Sequence, residues 1–577
     1  MPRAARLISQ PTCRRSKFYC TSTFFYLEKK EKIHMRIVIT MLLLGLMSIR
    51  MIAAEYYLSN FGHDSYDGSK EKPWKTLQRL YQQSLQPGDA IYLAGGHAFY
   101  GTLYLDEKSC SADSKNPIII DTWGQGRPKI FAGDSSAILI RNLGGIEIRD
   151  IEVIGRNRMA NRGSGIRIIN DKPGNQQLKH IRIHNVVAHG FKWAGIFVGG
   201  IPTDDPGFEA PEGCRFGFRD VLIDSCSAFD NVYYGIHVTA HWKAYDNQYG
   251  NANVVIRDCY AWDNPGDPTY TKNHSGSGIM LDDCENGIIE YCVAFRNGAL
   301  NAGQTGGPIG IWAHASTNIK IQYCESFSNR TGGAADGGGF DFDGGVTHSV
   351  MQYCYSHDND GAGYLMWNWY GAPFRLGDNV IRYCISENDC QRHEYGAVHL
   401  GGAPISNITV HNNVFVTRAA EDASPRGVLV APGAHINIRF FNNVFLVDKN
   451  VPLVDFKDDL AEAYFSHNGF WSLSQQPLFY RAKEHYGHPE EWTILNQQME
   501  NNLMIDPLIV TTHTNETIGY PHHLSSLRNF RLLPHSSLFE AGLAFDDMQV
   551  SVLGFDFFGN PLPKKGALSI GVQQTVK

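Results

Sequence analysis

The sequence predicts an all-β protein: a right-handed parallel β-helix of about ten or more coils, with a small N-terminal helical cap and an irregular C-terminal closing segment. Three observations predict it. The first is a repeated nine-residue segment: IDSCSAFDN (223–231), IRDCYAWDN (256–264), IEYCVAFRN (289–297), IQYCESFSN (321–329), MQYCYSHDN (351–359) and IRYCISEND (381–389). It sets Cys226, Cys259, Cys292, Cys324, Cys354 and Cys384 in one column at spacings of 33, 33, 32, 30 and 30. The second is a Gly followed by alternating residues in each unit: GIRII (165–169), GIFVG (195–199), GIHVT (235–239), GIMLD (278–282), GIWAH (310–314), GFDFD (339–343), GYLMW (363–367) and GAVHL (396–400). The third is composition: 58 Gly in 577 residues, 19% charged and 12% aromatic, which suits a turn-rich β protein and not a helical bundle. Short strands of period two cannot bury a face alone, so they must stack on their neighbours. A propeller would repeat at about 40–50 residues.

The elements follow in chain order. Residues 1–54 read as an extension and an export signal: the basic stretch KKEKIHMR (29–36), the apolar run IVITMLLLGLMSI (37–49) and RMIAA before Glu55. The run is short for a membrane span, so the mature chain is expected to be secreted, periplasmic or at the cell surface, with an uncleaved anchor as the alternative. It is also expected to be a monomer. Residues 55–135 read as the cap and first coils. Residues 136–450 read as the β-helix core, whose column continues upstream as Ile151 and Val186 and downstream as Asn413 and Asn443. Residues 451–577 read as closing coils, with a separate module left open. Of 12 Cys, 10 follow the signal. The column reads as an inward ladder of small buried thiols, with disulfides or a metal site as alternatives. Cys110, Cys214, Cys284 and Cys390 lie off it and are free to pair. With 51 basic and 58 acidic residues, the chain lacks the basic excess of a nucleic-acid binder.

Both flanks carry a resemblance. YYLSNFGHDSYDGSKEKPWKTLQRL (56–80) with LQPGDAIYLAGGHAFYGTL (85–103), and FRLLPHSSLFEAGL (530–543) with DFFGNPLPKKGALSIGV (556–572), resemble the cap and closing segments of the pectate-lyase-like superfamily of exported carbohydrate-active proteins. The resemblance implies the right-handed β-helix and a carbohydrate substrate. It does not choose among the superfamily's lyases, hydrolases, epimerases and adhesins.

Alternation then locates the candidate chemistry. Counted from each Gly, offsets one and three are apolar and face inward, so offsets two and four face outward. The outward set reads Arg167/Ile169, Phe197/Gly199, His237/Thr239, Met280/Asp282, Trp312/His314, Asp341/Asp343, Leu365/Trp367 and Val398/Leu400. Asp341, Asp343 and Asp282 are the candidate catalytic carboxylates, and His314 orients or protonates a neighbour. His237, Trp312, Trp367, Lys243 and Arg375 are candidate substrate contacts, the indoles as stacking platforms. Asp341 and Asp343 are two residues apart on one face, about 6.5–7 Å, and Asp282 lies two rungs away, about 9.6 Å, with His314 between. Inverting glycosidases hold their carboxyls about 6.5–9.5 Å apart and retaining ones about 5–5.5 Å. Asp336 with the following glycines reads as a turn, and Asp283 as inward or turn-forming. His357, Asp358 and Glu387 read as structural. Insertions near 200–217, 240–252 and 264–275, which carry Lys243, Lys272 and His274, read as groove walls.

The leading functional reading is a glycoside hydrolase acting on a polysaccharide or oligosaccharide through paired Asp residues, with no cofactor required. The runner-up is a polysaccharide lyase, with a Ca²⁺ site of Asp282, Asp341 and Asp343 and with Lys243, Lys272 or His237 as base. The third is a non-catalytic glycan-binding β-helix. The polygalacturonase motifs Asn-Thr-Asp, Gly-His-Gly and Arg-Ile-Lys have no equivalents here, so nothing finer than architecture transfers from that family.

Overall fold

The computed structural model describes residues 53–574 apart from 175, 201–215, 241–247, 475–477, 488–490, 492–498 and 511–515. Lys243, Cys214 and the predicted signal therefore lie outside the described residues. Among the described residues the strands form three sheets of 15, 14 and 14 strands, visited in turn by every coil. All neighbours pair in parallel except at the last hairpin, Phe479–Arg481 with Glu484–Tyr486. One coil shows the pattern: Thr317–Gln322 lies in the first sheet, Glu325–Phe327 in the second and Gly338–Asp343 in the third. The helical cap is a single 3-10 turn, Leu77–Gln82, whose Leu77 and Leu80 pack into the core.

The repeated motif is the corner between the first and second sheets. In each coil the residue before the ladder position is left-handed, as in Ser225, Asp258, Tyr291, Tyr323, Tyr353, Tyr383, Asn412 and Asn442. That conformation turns the chain and aims the next side chain inward. The ladder cysteines Cys226, Cys259, Cys292, Cys324, Cys354 and Cys384 are buried, free and part of the continuous apolar core. They act as compact hydrophobes, and burial holds their thiols well above the usual range where a shift is resolved. Cys110, Cys284 and Cys390 are buried and free as well.

The Asn that ends each motif forms a second ladder. Nδ2 of Asn231, Asn264, Asn297, Asn329 and Asn359 donates to the side-chain oxygen one rung on, at 3.1, 2.9, 2.9, 3.0 and 2.8 Å, the last to Asp389. An amide carries a donor and an acceptor, so a column of them satisfies itself at the rung spacing. The leading glycines follow from this column. A Cβ on Gly310 would lie 2.6 Å from the Asn329 amide nitrogen and 2.0 Å from Ser326 Oγ.

Residues 54–577 form one compact unit, so no separate C-terminal module splits off. Strands of the β-helix continue to Met499–Glu500 and Leu503–Met504. The chain then folds back along the second sheet. There Leu524, Leu527, Phe530 and Leu538 pack with outward Tyr355, Ile385, Val414 and Val444 in a second apolar cluster. Buried Glu325 accepts hydrogen bonds from the Ile518 and Gly519 amides at 2.8 and 2.6 Å. His357 and Asp358 sit on this side too, with His357 between Glu325 and Asp358. Glu387 accepts from Tyr355 and Arg418, so these groups hold the fold together away from the outward row of the third sheet.

Native protein treated with a bulky thiol reagent is expected to leave all nine described thiols unlabelled until global unfolding. At most Cys13, Cys20 and Cys214, outside the described residues, should react. Rapid labelling of more than three thiols per chain would overturn the ladder.

Candidate active site

The third sheet carries the site because its outward face is roofed. Side chains at offsets one and three, including Ile279, Leu281, Ile311, Ala313, Phe340 and Phe342, fill the interior. Those at offset two, including Phe197, Met280, Trp312 and Leu365, join a separate cluster outside the β-helix with Trp193, Tyr234 and Tyr395. The outward row is therefore buried under loops and not a solvent surface, and Trp312 is only 3% exposed. Parallel pairing builds two columns. Met280, Trp312, Asp341, Leu365 and His399 form one; Asp282, His314, Asp343 and Trp367 form the other.

One rung departs from the sequence reading. In GAVHL the interior residues are Val398 and Leu400, and His399 faces outward. Tyr364 pairs with Val398, so the true start of that strand's alternation is Ala397, not Gly396. Apolar alternation outranks the position of the glycine, because the interior selects side chains by burial.

The two columns floor a pocket of about 550 Å³. Loops leading into successive strands wall it: Lys272–His274 from the insertion at 264–275, residues 305–307, residues 334–336 and His393–Tyr395. Trp367 and Trp369 close the other side. Of the sequence candidates, Asp341, Asp343, His314, Trp312 and Trp367 all line it. Sequence reading passed over Asp336, Trp369, Tyr395 and His399. The signal for His399 was its position between Val398 and Leu400. Asp336 gave none, because a left-handed Asp before glycines is also the ordinary mark of a turn.

The electrostatics separate the carboxyl groups. Asp341 is 2% exposed, and burial, then Asp343 and Asp336, raise it well above the usual range. Burial therefore favours its protonated form. Asp343 is pushed up to about 6 by burial, a rise that His314 opposes and Asp336 adds to. Its Oδ1 accepts the Gly344 amide at 2.7 Å. Asp336 is partly open to the pocket, and burial raises it against the opposing Tyr395 hydroxyl, which donates to its Oδ1 at 2.8 Å.

His314 is held from both sides. Its Nδ1 lies 2.9 Å from Asp282 Oδ1, and the Trp369 indole N–H donates toward Nε2 at 3.3 Å. The indole contact suits the neutral ring with Nδ1–H on Asp282, whereas the Asp282 carboxylate favours the protonated ring. Burial works to lower its proton affinity, but Asp282 outweighs it and the net shift is upward. Four further polar atoms of pocket-lining residues have no hydrogen-bond partner among the described residues: Trp312 Nε1, Asp341 Oδ1, His274 Nδ1 and His399 Nδ1. Burial lowers His274 to about 4 and His399 to about 3, so both rings stay neutral. Each unmet group costs about 1–3 kcal/mol when dry, which a ligand of hydroxyl groups would offset.

Three predicted roles do not hold. Asp282 is fully buried, with Oδ1 facing His314 and Oδ2 accepting from Thr239 at 2.7 Å, so it positions His314 and cannot meet a substrate. That also removes it from the proposed calcium set with Asp341 and Asp343. Among the described residues no group of three or more His, Cys, Asp or Glu is placed to hold a metal ion. His237 is buried against Tyr234 at 4.0 Å between ring centres and does not line the pocket; burial lowers it to about 3. It faces outward as predicted, but aromatic rings cover it. Arg375 lies on the exposed surface, paired with Asp378, and is not part of the pocket. Asp283 is a turn residue with a left-handed backbone that accepts the Gly250 amide.

A family model described as a right handed beta helix region matches residues 207–375, the stretch that contains Asp282, His314, Asp336, Asp341 and Asp343. Among curated proteins, a lacto-N-biosidase of Bifidobacterium longum subsp. longum is 24% identical over 474 residues, which are 68% of this chain. The chain spans only 28% of that protein's length. Among solved structures, the native GH136 lacto-N-biosidase from Eubacterium ramulus is 19% identical, with a TM-score of 0.47 over 68% of this chain and 70% of that one. XylC in complex with xylose is 9% identical, with a TM-score of 0.46 over 91% and 98% of the two chains.

Proposed function

We propose that this protein is a glycoside hydrolase that cleaves a short terminal unit from an oligosaccharide bound in the third-sheet pocket. The observation that carries the reading is a set of three carboxyl groups, all raised by burial, Asp341 well above the usual range and Asp343 to about 6, that share one pocket with indole rings. Separated proton affinities among neighbouring carboxyls divide acid from base. A pocket of about 550 Å³ suits a few sugar rings rather than a long polymer run. The curated relative is by name a glycosidase, which supports the same class.

In this reading Asp343 and Asp336 are the reacting pair, because both are partly open to the pocket whereas Asp341 lies almost wholly beneath the surface. Asp343, raised to about 6, gives its proton to the glycosidic oxygen as the bond to the anomeric carbon breaks. Asp336, ionised and steadied by the Tyr395 hydroxyl, acts as nucleophile or as the base for water. The net change is the addition of one water, and both carboxyls return to their starting states. Neutral Asp341 donates a hydrogen bond to a substrate oxygen, and Trp312, Trp367 and Trp369 offer surfaces for sugar rings.

Hydrolysis is expected to produce new reducing ends without the near-ultraviolet absorbance of an unsaturated sugar. Substrates of lacto-N-biosidases are the first to assay. The kcat/KM profile should be bell-shaped. It falls above pH about 6 as Asp343 loses its proton, and falls again at lower pH as Asp336 takes one up. Rising absorbance would reassign the protein to the lyases. Saccharide binding without turnover across a glycan panel would leave a binding protein.

A further inference from the structure

A second cavity lies farther along the same outward face. In the column that holds Asp341, pairing continues from Leu365 and His399 to Leu429, Asp455 and Tyr480. Asp455 and Tyr480 line a cavity of about 660 Å³ together with Arg426, Lys449, Lys457 and Lys483. Asp455 is two rungs from His399 of the active pocket, about 9.6 Å at the strand spacing. Glu394 joins the two cavities. It lines the active pocket, and its Oε1 lies 2.7 Å from both Arg426 and Lys457 of the second cavity.

The charges do not cancel. Arg426 and Lys457 are matched by Asp455, at 2.8 and 2.9 Å, and by Glu394. Lys449 and Lys483 line the cavity with exposed side chains and make no ion pair among the described residues. The active pocket, in contrast, is lined by four carboxyl side chains, Asp336, Asp341, Asp343 and Glu394, and by one lysine, Lys272. One face therefore carries a pocket rich in carboxyl groups that suits neutral sugars and, beside it, a cavity with two unmatched cations and the outward Tyr480.

We infer that this cavity binds an anionic substituent, a sulfate ester or a carboxylate, on the part of the oligosaccharide that lies outside the active pocket. The paired Arg426 and Lys457 fix the floor through Asp455, and Lys449 and Lys483 supply the attraction. The placement of this anion on the substrate rests on the hydrolase reading; the anion site itself does not.

The experiment measures calorimetric affinities of lactose 3′-sulfate, 3′-sialyllactose and lactose at low salt and at 0.5 M salt. It uses the wild type, Asp343→Asn and the double variant Lys449→Ala/Lys483→Ala, whose two side chains are exposed. At low salt at least one anionic sugar should bind about tenfold more tightly than lactose to both wild type and Asp343→Asn, and the preference should vanish in the double variant and at high salt. A preference for the sulfate alone assigns a sulfate ester, and one for the sialyl sugar alone a carboxylate. Equal affinities for all three sugars, or a preference that survives both lysine substitutions, would overturn the inference. If no glycan is hydrolysed but the lysine-dependent preference remains, the hydrolase reading fails and the anion site stands.

Discussion

Replacing Asp343 with Asn is expected to lower kcat by about 10²–10⁴-fold, the range that acid–base groups supply, with little change in stability. Asn keeps the shape of the side chain and its acceptor for the Gly344 amide, but it cannot ionise. Asp336→Asn should fall in the same range, and the acid limb of its pH profile should disappear. Asp341→Asn should cost about tenfold, because an amide can still donate the hydrogen bond that the neutral acid provides. Kinetics on a defined oligosaccharide, with circular dichroism to confirm folding, test the series. If Asp341→Asn is as damaging as Asp343→Asn while Asp336→Asn is mild, the reacting pair is Asp341 and Asp343, and Asp336 is only a turn residue.

Phe340→Ala is expected to destabilise the protein by about 3–5 kcal/mol, the usual cost of truncating a buried phenylalanine. Phe340 is wholly buried in the same strand as Asp341 and stacks on Tyr364 with ring centres 5.3 Å apart. Tyr364 is tied to the Cys354 and Ile385 carbonyls at 2.9 and 3.0 Å, so it cannot move into the void. The rungs stack as nearest neighbours, and the loss should therefore also loosen the strands on either side. Activity should fall at temperatures well below those that inactivate the wild type, while the shape of the pH profile is kept. Denaturant unfolding gives the magnitude. A loss under about 1 kcal/mol would show that the third sheet does not depend on this packing.

The architecture was legible because each of its causes is local and repeated. Six cysteines in register announce an interior column, since a compact, weakly polar side chain packs there rung after rung. The Asn after each motif marks the corner it stabilises, and the glycine that opens each strand is required by that same Asn ladder. Alternation placed Asp341, Asp343, His314, Trp312 and Trp367 on one face, and the structure gathers all five in one pocket. The reading slipped at GAVHL, where a glycine one residue early shifted the phase and hid His399.

Taken alone, the chain dictated the coils, the inward columns and the side of the third sheet on which polar chemistry collects. Those follow from a period-two pattern repeated every 30 to 33 residues, which any single repeat displays. What only the folded molecule decided is which outward residues stay open. Loops at 272–274, 305–307, 334–336 and 393–395 wall the pocket and bring Asp336 and Tyr395 to it, while Thr239 and His314 enclose Asp282 and aromatic rings cover His237. Protonation follows roofing, because a carboxyl group's proton affinity depends on how much water the surrounding chain excludes, and residues far apart in sequence do the excluding.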